Sequence, residues 1–166
     1  MQDASEVVIR RARMEDHAEA CRLYDAVDEL HREHLPWIFK LPETQPRPEA
    51  YFADLLSRED AAVFVADAGQ VVGIAIGLIR LAPEFPVFRK QSWGILDGIA
   101  VDPSWRRQGI GKRLTNAVEQ WAIGLGVPWV ELNVYKFNTE ARRFYEALGY
   151  LPVSTKLRKP TRSGAD

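Results

Sequence analysis

The strongest constraint on the fold is a basic, glycine-containing turn at residues 106–113, which has the sequence Arg-Arg-Gln-Gly-Ile-Gly-Lys-Arg. An apolar run at 93–101 precedes this turn and is predicted to be a strand. After the turn, apolar residues recur every three or four positions from Ile110 to Leu125, which predicts an amphipathic helix that ends near Gly126. A strand that continues through a turn into a helix is typical of an α/β domain.

The remaining residues repeat this alternation of strand and helix patterns. Strands are predicted at Val7–Ala12, Ala61–Ala66, Val71–Leu81, Trp93–Val101, Trp129–Tyr135 and Tyr150–Leu157, and helices at Arg13–Leu35, Glu49–Arg58, Ile110–Gly124 and from the N-cap Asn138 to Gly149. A turn-type sequence at 67–70 joins the second and third strands as a hairpin. Gly98 inside the fourth strand predicts a bulge or a close approach of another group. We therefore expect one α/β domain over residues 6–158, followed by a polar tail at 159–166.

Charge and composition exclude several classes of protein. The 166 residues include 22 Lys and Arg against 23 Asp and Glu, a net charge of -1, which argues against a general nucleic-acid binder. No apolar run reaches the roughly 18 residues that a membrane span needs, and the polar residues at 1–6 predict no signal peptide. The single cysteine, Cys21, fits a reducing compartment, so the sequence predicts a cytoplasmic protein.

The near-zero net charge hides a division between the two halves of the chain. Residues 1–83 carry nine basic and fifteen acidic side chains, whereas residues 84–166 carry thirteen basic and eight acidic ones. The basic half contains the turn at 106–113, and the acidic half contains the first two predicted helices. We hypothesise that the acidic half attracts a cationic partner.

The glycines of the turn, Gly109 and Gly111, allow successive backbone N–H groups to point at one place, where the positive end of the helix dipole adds to them. Such a turn is an anion site suited to a pyrophosphate. Two other nucleotide motifs do not match: a Walker loop needs a glycine at Arg106 and Ser or Thr at Arg113, and a dinucleotide fingerprint needs a glycine at Leu114. Taken alone, the turn leaves open a solvated basic loop in which the glycines serve only the backbone.

Two motifs in the second half resemble the signatures of the GNAT N-acetyltransferase superfamily. The first is Arg106-x-x-Gly109-x-Gly111 after a strand that ends in Val101-Asp102-Pro103, and it looks like the acyl-coenzyme A loop of that superfamily. The second is Asn138-x-x-Ala141-x-x-Phe144-Tyr145-x-x-x-Gly149-Tyr150. The resemblance covers 93–157 through both motifs and 7–81 through the order of the elements.

The resemblance implies a single-domain GNAT acyl-CoA N-acyltransferase fold: a mixed, mostly antiparallel sheet, splayed between its fourth and fifth strands and flanked by about four helices. It implies acetyl-coenzyme A as the acyl donor and a possible homodimer. Backbone N–H groups of the turn would hold the pyrophosphate, basic side chains would lie near the phosphates, and the pantetheine arm would lie in the splay. The residues implied to contact the cofactor are Ile99, Ala100, Val101, Arg106, Arg107, Gln108, Gly109, Ile110, Gly111, Lys112, Arg113, Asn133, Asn138, Ala141, Phe144 and Tyr145.

Two acidic residues are candidates for the base that removes a proton from an amine acceptor. A lysine-type amine has a pKa of about 10.4, so only about one molecule in a thousand is neutral at pH 7. Asp97 stands where many members of the superfamily carry a catalytic glutamate, and Glu131 lies on the neighbouring strand. If no bulge shifts the register, alternation places Asp97 on one face with Ile99 and Val101, and Glu131 on one face with Asn133 and Tyr135. The alternative for either carboxylate is an exposed strand residue with no catalytic part.

Tyr145 is the candidate acid for the departing thiolate. The superfamily usually places a tyrosine here, and a phenol of pKa about 10 can donate a proton to a thiolate whose thiol has a pKa of about 8.5. A backbone N–H near Ile99 or Ala100, freed by the bulge, is the candidate oxyanion donor. Asn138 shares a helix face with Tyr145, and the resemblance assigns it to the pantetheine or adenosine diphosphate part. The alternatives are a core role for Tyr145 and simple helix capping for Asn138.

The resemblance assigns the acceptor site to the first two helices and the loop before the fourth strand. The residues concerned are His31, His34, Trp37, Phe39 and the stretch 84–88. The two histidines have a spacing that can hold a metal, but no third ligand lies nearby in the sequence, so no metal site is predicted. Cys21 falls on the apolar side of its helix and is predicted to be a core residue.

The sequence thus predicts an N-acetyltransferase that moves an acetyl group from acetyl-coenzyme A to a primary amine by direct attack in a ternary complex. A small-molecule amine is the predicted acceptor, and an N-terminal or lysine amine of a peptide or protein is the alternative. A coenzyme A binding sensor or interaction module without turnover is the alternative from another class, against which the retained Tyr145 argues. No helix-turn-helix pattern accompanies the basic turn, so a DNA-binding regulator is not predicted.

Overall fold

The computed structural model describes residues 6–161, which form a five-stranded sheet with helices on both faces. The strands are β1 (Val8–Arg11), β2 (Ala61–Asp67), β3 (Val71–Leu81), β4 (Ser92–Val101) and β5 (Val130–Glu131), and the helices are α1 (His17–His34), α2 (Glu49–Ser57), α3 (Ile110–Gly124) and α4 (Thr139–Ala147). The strands lie in chain order; β1 to β4 pair antiparallel, and β5 pairs parallel to β4. This architecture confirms the predicted mixed, mostly antiparallel sheet with four helices. None of these helices is long and apolar enough to cross a membrane.

Each face of the sheet has its own hydrophobic cluster. The cluster under α1 and α2 contains Ile74 and Ile76, whereas Ala75, between them on β3, belongs to the cluster under α3 and α4. The two assignments differ because successive side chains of a strand point to opposite faces. Both faces are covered, which is why β3 begins with a run of seven buried residues instead of an apolar and polar alternation.

The sheet opens between β4 and β5. Gly94 pairs with Val130 and Ile95 with Glu131, and the ladder ends there although β4 continues to Val101. The strand predicted at Trp129–Tyr135 is therefore reduced to two residues in the structure. The opening confirms the predicted splay between the fourth and fifth strands, and it leaves the β5-facing edge of β4 without a strand partner beyond Ile95 among the described residues.

The strand predicted at Tyr150–Leu157 is wrong in this structure. The Tyr150 N–H donates to the Tyr145 carbonyl at 3.0 Å, and residues 151–161 form no strand or helix and are exposed. The alternating pattern there is typical of a strand, but a strand also needs a neighbour, and residues 6–161 provide none beside this segment. Residues 162–166 of the predicted polar tail lie outside the described range.

Candidate active site

The basic turn forms the start of α3 with two residues in the left-handed backbone region. Gly109, the N-cap, has a φ of 79°, and Arg107 has a φ of 62°, the sole positive value for a non-glycine residue in the described part of the chain. The first N–H groups of a helix, here from Ile110 to Lys112, have no partner within the helix, and Gly109 has no side chain with which to cap them. Uncapped N–H groups at the positive end of a helix form a site for an anion.

The basic side chains of the turn face in different directions. Arg106 donates from Nε to the Val101 carbonyl at 3.1 Å, and Arg107 pairs with Glu140 of α4 at 3.2 Å. Arg113 turns toward β1, where it donates to the Val7 carbonyl at 2.6 Å. Its predicted place near the phosphates is thus not its position here, and the phosphate roles of the turn stay predictions.

Helix α4 lies beside the turn, since Glu140 pairs with Arg107 and Phe144 lies close to Gly111. A Cβ on Gly111 would lie 3.3 Å from Phe144 Cζ, so the glycine allows α3 and α4 to approach closely. Asn138 caps α4, because its Oδ1 accepts a hydrogen bond from the Ala141 N–H at 3.0 Å. The capping alternative for Asn138 is therefore present, and its contact to a cofactor stays a prediction.

Tyr145 lies in the hydrophobic cluster under α3 and α4, where Phe144 and Tyr150 stand edge-on to its ring at 5.1 and 5.7 Å. Tyr145 is 8% exposed, and burial raises the pKa of its hydroxyl to about 12. No protein group within residues 6–161 hydrogen-bonds this hydroxyl. The ring of Tyr145 thus packs as a core residue, which was the alternative prediction, while its hydroxyl forms no hydrogen bond with residues 6–161.

Asp97 is the extra residue of a bulge in β4. Ile76 pairs with Gly98 and Gly77 pairs with Leu96, so Asp97 has no residue opposite it on β3. Leu96, Ile99 and Val101 all pack under α3 and α4. The carboxylate of Asp97 is exposed. Burial raises the pKa values of Tyr24 in α1 and Tyr51 in α2, and the negative charge of Asp97 adds to both shifts.

The shared face of Asp97 with Ile99 and Val101 requires an unshifted register; the bulge shifts it, so Asp97 does not lie on the face of those two residues. Ile99 and Ala100 remain in the ladder opposite Ala75 and Ile74, so the bulge itself frees neither N–H. The splay frees such groups, because N–H groups on the β5-facing edge of β4 beyond Ile95 face the opening. A backbone N–H group is thus available to an oxyanion only because β5 diverges from β4 after Glu131.

Tyr24 is a residue beside the β4 bulge that sequence reasoning did not single out. A Cβ on Gly98 would lie 2.7 Å from the Tyr24 hydroxyl oxygen, which is buried and has no hydrogen-bond partner among residues 6–161. Burial raises the pKa of this tyrosine well above its usual range. The Arg47 guanidinium lies 4.5 Å over its ring and forms a bidentate pair with Asp28 at 2.6 and 2.9 Å. The sequence signal for this contact was the close approach of another group predicted at Gly98.

Glu131 lies level with Ile95 in the parallel ladder, so continuing that register places Asn133 level with Asp97 across the splay. Glu131 precedes Asn133 by two residues, so it lies about 7 Å along the strand from the level of Asp97. Leu132 and Val134 pack under α3 and α4, so Glu131 and Asn133 fall on the α1 and α2 face, as alternation predicted. Both side chains are exposed.

An aromatic group joins the end of α1 to the segment after β5. His31 stacks on Phe39 at 5.1 Å and stands edge-on to Tyr135 at 5.3 Å, and His34 stacks on Phe137 at 4.3 Å. Three predicted acceptor residues thus lie together, with Tyr135 and Phe137 added to them. We call these five residues the aromatic group.

The histidines of the aromatic group face rings instead of metal ligands. Burial lowers the pKa of His31, which favours its neutral form. Among residues 6–161, no three His, Cys, Asp or Glu side chains are close enough to hold a metal ion. Trp37 is 56% exposed and makes no ring contact within the same range. Cys21 is buried in α1, as predicted.

The candidate site therefore spans both faces of the sheet. The anion-binding turn and Tyr145 lie with α3 and α4, whereas Asp97, Glu131 and the aromatic group lie on the side of α1 and α2. The splay is the opening between the two faces. A donor bound on one side could meet an acceptor bound on the other only at this opening.

Comparison with known proteins identifies the family. The profile of the Acetyltransferase (GNAT) family matches residues 24–150. The L-ornithine N5-acetyltransferase NATA1 of Arabidopsis thaliana is 33% identical over 109 residues, which cover 65% of this chain and 47% of that protein. This chain thus spans about half the length of that relative.

Two further proteins agree with this identification. The N-alpha-acetyltransferase RimI of Mycobacterium tuberculosis is 32% identical over 119 residues, covering 72% of this chain and 70% of RimI. A crystal structure of a mutant of the BH1408 protein of Bacillus halodurans has a TM-score of 0.87 at 25% identity and covers 93% of this chain and 99% of that chain. The chain belongs to the GNAT acetyltransferase family, which confirms the resemblance, and it is an enzyme of the acyltransferase class.

Proposed function

We propose that this GNAT enzyme transfers an acetyl group from acetyl-coenzyme A to a primary amine of a small molecule, by direct attack within a ternary complex. One observation carries the proposal: an uncapped, left-handed turn at the start of α3 stands on one side of the splayed sheet, and the bulged carboxylate of Asp97 stands on the other. This arrangement provides separate approaches for an anionic donor and an amine acceptor.

The residues of the turn fit the pyrophosphate of acetyl-coenzyme A. The N–H groups of Ile110, Gly111 and Lys112 have no side-chain cap, and the exposed guanidinium groups of Arg106 and Arg107 add positive charge nearby. When bound, acetyl-coenzyme A supplies the thioester acyl group. The protein would hold the nucleotide end at the turn, while the opening beside β4 admits the narrower arm.

Tyr145 would assist the departing sulfur. With a pKa of about 12, its hydroxyl keeps its proton at neutral pH. A thiol has a pKa of about 8.5, so complete transfer from Tyr145 to the thiolate would be uphill by 3 to 4 pKa units, roughly 5 kcal/mol. We infer that Tyr145 donates a hydrogen bond to the sulfur and that solvent supplies the proton that finally neutralises it.

Asp97 would take the proton from the amine, directly or through a water molecule. The bulge removes it from the β3–β4 ladder and exposes its carboxylate on the face of α1 and α2. Glu131 is the alternative base, about one strand repeat away on the same face. Backbone N–H groups on the edge of β4 that faces the opening would donate to the oxyanion.

The acceptor would lie against the aromatic group on the face of α1 and α2. A small amine is favoured because the named activity of the Arabidopsis relative is acetylation of ornithine. Its side-chain ammonium is a primary amine that a carboxylate can orient and aromatic rings can contact. The similarity to RimI supports an N-terminal amine of a protein as the second candidate.

Release of thiol from acetyl-coenzyme A across a panel of acceptors tests this proposal. The panel contains ornithine and other diamines, amino acids, aminoglycosides and peptides with unblocked N-termini. Small amines are expected to give saturable release. Release with peptides alone would make the second candidate correct.

A thermal-shift series on the same protein separates catalysis from binding alone. Acetyl-coenzyme A at a hundredfold excess over its Kd should add about 2.7 kcal/mol to the stability. Binding without thiol release for any acceptor would make the chain a coenzyme A sensor. No shift at all would refute the proposed donor.

A further inference from the structure

Two carboxylates on the α1 and α2 face of the sheet have no basic partner. Asp97 and Glu131 are exposed, and neither forms an ion pair or a side-chain hydrogen bond with another of residues 6–161. Asp28 of α1 differs from them, because both terminal nitrogens of Arg47 hold its carboxylate. Two unpaired negative charges on one face favour a ligand that carries positive charge.

The two carboxylates stand on the two strands that border the splay. Glu131 of β5 is level with Ile95 of β4, and Asp97 follows Ile95 by two residues. Two residues along a strand cover about 7 Å and neighbouring strands lie about 4.8 Å apart, so the Cα atoms of Asp97 and Glu131 are separated by about 8 Å. One ammonium group cannot contact both carboxylates across such a distance without drawing the side chains together, whereas two ammonium groups can contact one carboxylate each.

The spacing suits a short diamine. An extended chain advances about 1.2 Å per bond, so about four carbon atoms between two nitrogens place them about 6 Å apart. Each ammonium group then needs about 2.8 Å more to reach a carboxylate oxygen. The side chains of Asp97 and Glu131 can take up the remaining difference, because both are exposed.

A buried hydroxyl beside Asp97 also lacks a partner. Tyr24 is 6% exposed, and its hydroxyl oxygen has no hydrogen-bond partner among residues 6–161 and lies against Gly98, the residue after Asp97. Buried polar side-chain atoms without a partner are uncommon in folded proteins, so this one indicates a ligand. A phenol oxygen can accept a hydrogen bond from an ammonium group. This second observation places the reacting nitrogen at the Asp97 end of the pair.

We propose that the acceptor is a dicationic amine, in which the nitrogen to be acetylated lies at Asp97 and the second, charged nitrogen pairs with Glu131. This inference rests on the acetyl transfer proposed above. It makes Glu131 a specificity-determining residue that recognises a second positive charge, and it leaves Asp97 as the base.

The transfer itself is balanced at the Asp97 end. The reacting ammonium gives one proton to Asp97, and its nitrogen lone pair then forms a bond to the thioester carbonyl carbon. The carbon–sulfur bond breaks, the nitrogen loses a second proton to solvent, and solvent returns one proton to the thiolate. The second ammonium keeps all its protons, so its pairing with Glu131 is the same before and after the reaction.

Two amines of nearly equal size test the second charge. Pentylamine and 1,4-diaminobutane differ only in that a methyl group replaces the second ammonium group. We expect kcat/KM, measured as thiol release from acetyl-coenzyme A, to be about tenfold higher for the diamine, with most of the difference in KM, because a Coulomb interaction at about 4 Å near a protein surface can supply it. Added salt should reduce this preference. Equal kcat/KM values for the two amines would overturn the proposal.

Three variants assign the preference to Glu131. Glu131→Gln keeps the size of the side chain and should bring the ratio of the two kcat/KM values close to one. Asp97→Asn should lower kcat for both amines and keep the ratio. Glu146→Gln is the matched control, because Glu146 is exposed on α4 and its loss changes the net charge equally; its ratio should be that of the wild type. Equal losses for both amines in Glu131→Gln would make Glu131 the base and refute its role in specificity.

Calorimetry separates this inference from the acetyl transfer on which it rests. In the presence of coenzyme A, the wild type should bind 1,4-diaminobutane about tenfold more tightly than pentylamine, and Glu131→Gln should lose the difference. Turnover of both amines with equal affinities would refute the dicationic acceptor alone. Tighter binding of the diamine without thiol release would refute the transfer and retain the site.

Discussion

Replacing Gly98 by alanine should destabilise the fold, because the β4 bulge holds this glycine against Tyr24. The added Cβ would lie 2.7 Å from the tyrosine hydroxyl oxygen and 3.1 Å from Cε1. Tyr24 is 6% exposed and its ring lies under the Arg47 guanidinium, so the ring cannot move into open space. Overpacking of this kind costs about 1–3 kcal/mol.

Tyr24→Phe should relieve part of this cost. The hydroxyl is the atom nearest the new Cβ, and the next contact, at 3.1 Å, needs a shift of only a few tenths of an ångström. In the wild-type background the same change removes a buried hydroxyl without a hydrogen-bond partner among residues 6–161, so we expect it to be neutral or stabilising. The double variant should therefore be more stable than additivity predicts, by at least about 0.5 kcal/mol.

Urea unfolding of the four proteins, followed by circular dichroism, measures this coupling. Gly124→Ala is the matched control, because its Cβ would meet nothing within 4 Å and its φ is not in the left-handed region. Additive free energies, or a Gly98→Ala protein as stable as the wild type, would refute the steric reasoning.

Other predictions concern turnover and acid stability. Tyr145→Phe should lower kcat by about 10²-fold with little change in the Kd for acetyl-coenzyme A, as steady-state kinetics and calorimetry would show; unchanged turnover would remove Tyr145 from the mechanism. Asp97→Asn should lower kcat/KM at neutral pH by about 10²-fold, and a larger loss in Glu131→Gln would identify Glu131 as the base. Hydrogen bonds from the Arg10 guanidinium lower the pKa of Asp16, so their contribution to stability is present above the ordinary carboxyl pKa and is lost as pH falls through the folded value. Asp16→Asn should flatten this acid limb in unfolding measured against pH; an unchanged limb would show that other carboxylates cause it.

The helices and the turn could be predicted because their signals are local. The apolar spacing after Gly109 and the cap at Asn138 are set by residues within one or two helical turns, and the structure has both. The strands at 129–135 and 150–157 could not, since a strand exists only where another strand pairs with it. Leu132 and Val134 keep their inward positions after the ladder ends, so the apolar pattern reported burial there and not pairing.

The candidate site likewise has features that the sequence indicates and features that only the packing of distant segments shows. Glycine in an apolar strand indicated the bulge, but one additional residue on β4 reverses the face on which every later side chain lies, and the sequence does not show whether Asp97 or Gly98 is the extra one. Tyr24 has the same helical spacing as its buried neighbours Ala20 and Leu23, so nothing in α1 sets it apart. Only the strand packed against it shows what its hydroxyl meets.

Ion pairs change what the acidic half of the chain can offer an amine. Asp28 is held by both terminal nitrogens of Arg47, and the carboxylates of Asp16 and Asp67 share Arg10. Asp102, which belongs to residues 84–166, forms an ion pair with Arg22. Because a paired carboxylate presents little net charge to a ligand, these four carboxylates are poor partners for an amine, whereas pairing within residues 1–83 leaves the excess of acids over bases there unchanged. An ammonium group entering the splay would respond instead to Asp97 and Glu131, which lie in the basic half of the sequence but on the α1 and α2 face of the sheet.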